Sequence, residues 1–192
     1  MAKQARLITN NEFKRVLAVI NANKHAQRNT AVFYLSFYAG LRSCEIASLK
    51  LIDVVDNDRK VKTQFVLEKH MTKGNERQRV IVSSALRKQL QKYVDSVCRN
   101  YALHTPFILS QKQCAFSALT ITQLFARIYK NAGITGASGH SGRRQFLSNL
   151  CANGVSVRVI QALARHKSLN TAMRYLEITD KQLENAVESF SV

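Results

Sequence analysis

The sequence predicts an α+β fold that is mainly helical and contains a small three-stranded antiparallel sheet. Apolar residues recur at helical spacing before residue 51 and after residue 83, whereas between these positions they alternate with polar residues and many are β-branched. The chain has 192 residues, of which 46% are hydrophobic, so it is long enough to form one domain with a real core. We therefore expect a single domain over residues 1–192, in which residues 176–192 form an acidic C-terminal tail helix.

Two helices are predicted at the start of the chain. Thr9 and Glu12 form a capping box, and apolar residues follow at helical spacing. The polar segment Asn21–Asn29 is then predicted to be a loop. Thr30–Ala39 is almost entirely apolar, which indicates a buried helix, and Gly40 is placed to end it.

The sheet is predicted from three runs of β-branched residues and two turn signals. The runs are LIDVV (51–55), VKTQFVLE (61–68) and RVIVS (79–83), and the turns are Asp56-Asn57-Asp58 and Lys73-Gly74-Asn75. Lys73 therefore lies at the tip of the last hairpin. There it is either an ordinary solvated lysine or a side chain that reaches away from the domain body.

The later helices are predicted from polar capping residues followed by apolar residues at helical spacing. The first of them carries Leu86, Leu90, Tyr93, Val94 and Val97, the fourth ends near His166, and the fifth carries Tyr175. The predicted caps are, in chain order, Ser83 or Ser84, Ser117 or Thr120, Ser141, Ser156, and Ser168 or Asn170.

The charge balance points to a nucleic acid. The chain has 29 Lys and Arg residues against 12 Asp and Glu, a formal net charge of +17. Such an excess is typical of proteins that bind double-stranded DNA, although a merely solvated basic surface is the simpler alternative. Residues 176–192 reverse this balance, since they contain four acidic residues and one lysine.

Other classes of protein are disfavoured. No apolar run approaches the roughly 20 residues of a membrane span, and the N-terminus lacks the apolar core of a secretion signal. The four cysteines form no C-x-x-C pair, so we expect reduced, largely buried thiols in the cytoplasm and no zinc site. They are Cys44, Cys98, Cys114 and Cys151.

Several polar residues are candidates for phosphate chemistry. His140 and Arg143 lie at a predicted helix start, where free backbone N–H groups bind anions. Arg42 follows the most buried helix, either as a salt-bridged structural residue or as a ligand-binding one. Glu45 is expected to orient Arg42 or to cap its own helix.

Six positions, taken in order and with their spacing, resemble the catalytic domain of the tyrosine recombinases, the phage integrase family. The resemblance covers about residues 9–180, and it implies that family's mostly helical catalytic fold with a small sheet. The positions are Arg42 in AGLRSCEIASL, Lys73 in KGNERQRVIV, His140 and Arg143 in H-x-x-R, His166, and Tyr175 nine residues later.

The resemblance implies a role for each position. Arg42 and Arg143 would clamp the scissile phosphate, and His140 and His166 would donate hydrogen bonds and handle protons, with His140 the candidate base. Lys73 would be the general acid. Tyr175 would be the nucleophile. Arginine suits the clamp because it stays protonated and donates fork-like hydrogen bonds to phosphate oxygens. No cluster of carboxylates suggests a metal site, so neither a metal ion nor another cofactor is expected.

Three departures from the family pattern are visible. The family commonly has Leu-Gly-His where this chain has Ala164-Arg165-His166, which puts a bulky cation beside the site. Many members have a proline near Ile81 or Val82, so Lys73 is assigned from the turn, with Lys69 as the alternative. Many members also carry an N-terminal DNA-binding domain. Here the first helix begins almost at Met1, so the chain is a natural short form, or another protein or a deleted segment supplies that part.

The implied activity is site-specific cutting and rejoining of DNA through a covalent 3′-phosphotyrosine, without ATP. The protein would be an integrase, an excisionase-type recombinase or an invertase of a mobile element. It would form a tetramer on paired sites through the tail, with or without accessory DNA-bending proteins. The alternatives are a type IB topoisomerase and a non-catalytic DNA-binding regulator. The presence of all six polar residues disfavours a non-catalytic regulator, since DNA binding alone does not require a reactive tyrosine.

Overall fold

The computed structural model describes residues 5–166, 168–170, 183–184 and 187–188. Helices predominate, and the two strands of a small sheet lie between residues 64 and 81. A 3-10 turn, Lys69–Met71, separates the strands, and a π-helical turn, Val94–Cys98, extends the helix Ser84–Tyr93. The elements are α1 (Asn10–Asn21), α2 (Ala26–Ala39), α3 (Ser43–Ser48), α4 (Leu51–Val54), β1 (Gln64–Leu67), β2 (Gln78–Ile81), α5 (Ser84–Tyr93), α6 (Ala118–Asn131), α7 (Ser141–Ala152) and α8 (Val157–Ala164).

Helix α2 is the central element, and α1, α5 and α7 pack against it. It is apolar on nearly all sides, as predicted, and Gly40 ends it in the left-handed conformation with φ 60°. The predicted start at Thr30 was wrong, because the helix begins at Ala26. In its first turn the polar residues Arg28 and Asn29 are buried, since the Arg28 guanidinium donates to the Asn29 side chain and to the Leu109 carbonyl oxygen.

Helices with a capping side chain were predicted well. The Thr9 hydroxyl accepts a hydrogen bond from the Glu12 N–H, and the Glu12 carboxylate accepts one from the Thr9 N–H at 3.0 Å, so the capping box is confirmed. Ser83 caps α5 and Ser117 caps α6 in the same way. These caps are local in sequence, and that is why the chain alone predicts them.

The sheet has two strands and not the predicted three. β1 and β2 pair antiparallel, with Phe65 opposite Val80. The run LIDVV instead forms the short helix α4, because the Asp53 carboxylate accepts from the Lys50 N–H at 2.7 Å and caps it. Within α4, Leu51 and Val54 are both buried, so the apolar residues follow helical spacing. A single bridge between Val55 and Val61 is what joins this run to the predicted second strand.

Two smaller predictions also need correction. Val97 was predicted to continue the apolar spacing of this helix, but it is 36% exposed, and Cys98 is buried instead because the π-helical turn changes the residue spacing. The four cysteines are free thiols, but Cys114 is exposed, whereas only Cys98 is fully buried. Across the part of the chain that the structure describes, no helix is long and apolar enough to cross a lipid bilayer.

Candidate active site

Arg42 lies at the N-terminal end of α3 and is held by Glu45. Its Nη1 donates to Glu45 Oε1 at 2.6 Å, while its backbone N–H donates to Glu45 Oε2 at 2.9 Å. Glu45 therefore both orients Arg42 and caps the helix, which are the two roles predicted for it. The Glu45 carboxylate has no exposed surface, whereas the Arg42 side chain is 24% exposed and can be reached by a ligand.

Arg143 approaches the same place from the first turn of α7. Its Nη1 donates to the carbonyl oxygen of Gly40 at 2.5 Å, across 103 residues of chain, and its Nη2 donates to the carbonyl oxygen of Ala164. The side chain is buried. The arginine thus joins the C-terminal ends of α2 and α8, where the carbonyl dipoles favour a cation.

Gly142 allows α7 to approach α2 this closely. A Cβ atom at this position would overlap the Ser36 hydroxyl oxygen and would lie 2.7 Å from the Phe37 ring. Gly142 was not among the predicted site residues. The signal that could have indicated it is an isolated glycine within a predicted helix, because such a glycine costs stability and often has a packing reason.

His166 follows α8 and sits among the arginines. Burial, together with the charges of Arg143, Arg42 and Arg165, lowers the pKa of His166 to about 4, while Glu45 opposes this shift. The imidazole is therefore neutral at pH 7. Its backbone is fixed by Gln161, whose carbonyl oxygen accepts from the His166 N–H at 3.1 Å.

His140 is the N-cap residue of α7, one position earlier than the predicted cap Ser141. The Ser141 hydroxyl instead accepts from the Ser138 N–H at 3.0 Å and fixes the preceding turn. Desolvation lowers the pKa of His140, and the charges of Arg143, Arg42 and Lys73 act in the same direction. His140 is exposed, and a neutral, exposed imidazole is suited to accept a proton.

Lys73 is exposed at the tip of the hairpin between β1 and β2, as predicted. The turn is fixed by Thr72, whose hydroxyl donates to the Glu76 carbonyl oxygen at 2.9 Å. The 3-10 turn before it packs against α3, which carries Glu45. The charge of Lys73 is one of those that lower the pKa of His140. The hairpin therefore brings Lys73 toward the arginine and histidine side chains.

Arg165 is turned inward, although the sequence suggested only a bulky cation beside the site. Its Nη2 contacts Glu45 Oε2 at 3.1 Å and its side chain is only 4% exposed. The charge of Glu45 is shared by three arginines as a result. Burial alone would raise the pKa of Glu45, but Arg165, Arg42 and Arg143 outweigh that effect and lower it.

Tyr175, the predicted nucleophile, lies outside the described residues, as does Phe190 of the tail. The structure thus brings together Arg42, Arg143, His140 and His166, places Lys73 at the neighbouring hairpin tip, and does not describe the sixth position. Within the described ranges, no group of three or more His, Cys, Asp or Glu side chains is arranged to hold a metal ion. Of the tail, residues 183–184 and 187–188 are described, and their two apolar side chains, Leu183 and Val187, are 56% and 71% exposed.

Comparison with known proteins identifies the family of this fold and site. The model of the phage integrase family matches residues 6–182, which is nearly the whole chain. The chain belongs to the phage integrase family.

Individual relatives agree with that assignment. The tyrosine recombinase XerA of Pyrococcus horikoshii is 25% identical to this integrase-family chain over 185 residues, which cover 94% of the chain and 60% of the relative. The crystal structure of XerA recombinase has a TM-score of 0.76 at 22% identity, with 100% of this chain and 66% of that one covered. A structure of XerH site-specific recombinase, bound to palindromic difH substrate in a post-cleavage complex, has a TM-score of 0.72 at 21% identity, with 97% of this chain and 53% of XerH covered.

These structural likenesses establish a shared catalytic-domain fold, mainly helical with a small antiparallel sheet. The chain spans about three fifths of the length of the curated relatives that it matches.

Proposed function

We propose that this protein is a tyrosine site-specific recombinase that cuts and rejoins double-stranded DNA without a metal ion or ATP. Family membership and the DNA-bound state of relatives such as XerH support the proposal. The observation that carries it is the convergence of three helix ends. Arg143 bonds the carbonyl oxygen of Ala164, two residues before His166, and Arg42 shares the Glu45 carboxylate with Arg165, the residue before His166. The excess of 29 basic over 12 acidic residues supplies the general attraction to DNA.

The proposed chemistry begins with the Tyr175 hydroxyl. Its oxygen attacks the scissile phosphorus while its proton passes to His140, which is neutral because its pKa is lowered. The bond from phosphorus to the 5′-oxygen breaks, and Lys73 protonates that leaving oxygen. The products are a 3′-phosphotyrosine and a free 5′-hydroxyl, and attack by a second 5′-hydroxyl reverses the steps and reseals the strand.

The arginines and His166 stabilise the transition state in this mechanism. Charge develops on the two non-bridging oxygens, and Arg42 and Arg143 donate hydrogen bonds to them. Glu45 and the carbonyl oxygen of Gly40 hold these guanidinium groups before DNA binds, so little reorganisation is needed. The neutral imidazole of His166 donates one further N–H bond.

Covalent trapping tests the proposal and identifies the target sequence in the same experiment. Purified protein is incubated with a library of nicked duplexes, adducts that survive denaturation are isolated, and the attached 3′ ends are sequenced. We expect one recurring sequence joined to Tyr175. Tyr175→Phe should give no adduct but should bind the recovered duplex within about threefold of the wild type, because only one oxygen is lost.

The outcomes separate the competing activities. Adducts on paired sites followed by strand exchange support recombination, and cutting of single sites with plasmid relaxation supports a type IB topoisomerase. Tyr129→Phe is the control, because Tyr129 is buried in the core. Failure of the wild type to form any adduct would leave a DNA-binding regulator. Adduct formation by Tyr175→Phe would refute the assignment of the nucleophile.

The acidic tail is proposed to dock on a second copy of the chain bound at the paired site. Residues 176–192 contain four acidic residues and one lysine, while the rest of the chain is strongly basic. Deletion of residues 180–192 should leave binding to one half-site intact, but prevent assembly on paired sites. Gel shifts on one and two sites, with analytical ultracentrifugation, measure this. Unchanged assembly would mean that the tail packs on its own domain.

A further inference from the structure

Arg165 is a buried cation between the two proposed phosphate-binding arginines. Its side chain is only 4% exposed and is directed into the protein. It donates to the carbonyl oxygens of Ala39 at 3.1 Å and Gly40 at 2.9 Å, which lie at the C-terminal end of α2. It also donates to Glu45 Oε2 at 3.1 Å. Its guanidinium is therefore held by two helices and is withdrawn from solvent.

Two of these acceptors are shared with the proposed catalytic arginines. The carbonyl oxygen of Gly40 also accepts from Arg143 Nη1 at 2.5 Å. The carboxylate of Glu45 also accepts from Arg42 Nη1 at 2.6 Å and from its backbone N–H at 2.9 Å. Arg165 is thus joined to Arg143 through one oxygen of α2, and to Arg42 through one carboxylate of α3.

We propose that Arg165 is a positioning residue that sets the spacing of Arg42 and Arg143, the two arginines of the phosphate clamp. The inference rests on the function proposed above. A planar guanidinium suits this role, because its N–H groups point in fixed directions and serve several acceptors at once. The phage integrase family commonly has glycine at this position, and a glycine has no side chain that could connect Arg42 with Arg143.

The backbone of Arg165 agrees with this role. The residue ends α8 in the left-handed conformation, with φ 56°. Glycine adopts this conformation freely, whereas a residue with a Cβ atom is strained in it. The hydrogen bonds of the guanidinium offset that strain.

Arg165 also changes the charge available to a phosphate. Among the described groups that act electrostatically on His166, Glu45 is the one carboxylate, and it is shared with Arg42, Arg143 and Arg165. Because Arg165 takes part of that negative charge, Arg42 is less completely neutralised. Without Arg165, Glu45 would pair mainly with Arg42. Arg42 would then attract an anion less strongly.

The test compares Arg165→Gly with Arg59→Gly. Arg59 is a matched control, since it also has positive φ, 59°, and its guanidinium donates to two backbone oxygens, those of Cys98 and Tyr101. Neither acceptor belongs to the clamp. Both variants remove an arginine and relieve a left-handed backbone, but only one removes the connection between Arg42 and Arg143.

Single-turnover cleavage is measured on a nicked duplex that carries the sequence recovered from trapped adducts. We expect Arg165→Gly to lower the cleavage rate about 10- to 100-fold, the usual effect of misplacing a catalytic group by about an ångström, with DNA affinity nearly unchanged. Arg59→Gly should stay within about twofold of the wild type. Arg165→Lys should be intermediate, because a lysine keeps the charge but cannot serve both acceptors as a fork.

A second measurement needs no DNA. Nuclear magnetic resonance follows the titration of the His166 ring in the free protein, where the facing charges are Arg42, Arg143, Arg165 and Glu45. Arg165→Gly should raise the pKa of His166 from about 4, since one cation and part of the burial are lost. Arg165→Lys should keep it low.

The outcomes separate this inference from the proposed function. If the wild type cleaves no duplex, the recombinase function fails, and the titration still decides whether the Arg165 charge belongs to the cluster that faces His166. If the wild type cleaves, and Arg165→Gly cleaves within about twofold of it with an unchanged His166 pKa, the positioning role is wrong. Equal rate losses in Arg165→Gly and Arg59→Gly would mean a general effect on stability, which also overturns the positioning role. Should Arg165→Gly fail to fold, Arg165→Lys gives the decisive rate.

Discussion

Replacement of Gly142 by alanine would disturb the packing that brings α7 against α2. The added Cβ would overlap the Ser36 hydroxyl oxygen and would lie 2.7 and 2.9 Å from two carbons of the Phe37 ring. Real Cβ atoms do not approach other atoms this closely, and Ser36 is fully buried. Either the two side chains or α7 itself must move, and Arg143 is the next residue of α7.

The expected loss of stability follows from two opposing effects. Insertion of a methyl group into a packed interior costs about 1–3 kcal/mol. Alanine gains up to about 1 kcal/mol over glycine in a helix, and less in the first turn, where residue 142 lies. The net destabilisation is about 1–2 kcal/mol. For a chain of this length that corresponds to a fall in Tm of about 2–8 °C.

Thermal unfolding followed by circular dichroism measures the effect, and a double-mutant cycle assigns it. Ser36→Ala removes the oxygen that the new methyl group would meet first, and this oxygen has no hydrogen-bond partner among the described residues. The single Ser36→Ala variant should therefore be close to the wild type in stability. In the double variant, Ser36→Ala should recover part of the stability lost through Gly142→Ala, and the coupling energy between the two substitutions should be about 1 kcal/mol.

The close approach of α2 and α7 is wrong if Gly142→Ala is as stable as the wild type. It is also wrong if Ser36→Ala gives no recovery, because the clash would then lie elsewhere. The same variants should lose cleavage activity in the order of their stability loss. Full activity in a destabilised Gly142→Ala protein would separate the position of Arg143 from the packing of α7.

Three further predictions concern protons. Lys73→Ala should slow cleavage strongly, whereas Lys69→Ala should not. A substrate with sulfur as the bridging 5′ atom should restore most of the Lys73→Ala rate, because a sulfur leaving group needs no proton. Absence of this recovery would show that Lys73 is not the acid. The pKa of His140 is lowered from 6.5, so the acid limb of the cleavage pH profile should lie below pH 6.5, and a limb at higher pH would exclude His140 as the base. The pKa of His166 is about 4 in the folded state and 6.5 in the unfolded state, so the folded state binds fewer protons between these pH values. The free energy of unfolding should therefore decrease as the pH falls from about 6.5 toward 4. His166→Gln should flatten that decrease in urea titrations, and an unchanged slope would mean that other groups cause it.

Local signals in the sequence predicted much of the fold. Thr9, Ser83 and Ser117 each cap a helix through a backbone N–H about three residues away, so neighbouring residues contain the required information. The run LIDVV was misassigned for a related reason. Four or five apolar residues suit a strand or a helical turn, and Asp53 capping the Lys50 N–H decided between them.

The six proposed catalytic positions could be recognised from residue types and spacing. A phosphate site needs arginines and histidines, and these side chains stand out in the chain whatever their tertiary contacts. The spacing cannot show which acceptors hold them. Arg143 depends on the carbonyl oxygen of Gly40, and Arg42 depends on a carboxylate that is fully buried.

The sequence by itself determined that this is a basic, mainly helical chain of the phage integrase type, because charge, caps and motif order are properties of the chain. Only the tertiary structure decided the direction of Arg165 and the role of Gly142. A charged residue beside the site is expected to face solvent or DNA, but the C-terminal carbonyl oxygens of α2 and the shared Glu45 draw Arg165 inward. The need for glycine at position 142 likewise arises from Ser36 and Phe37, which are distant in sequence and adjacent only after folding.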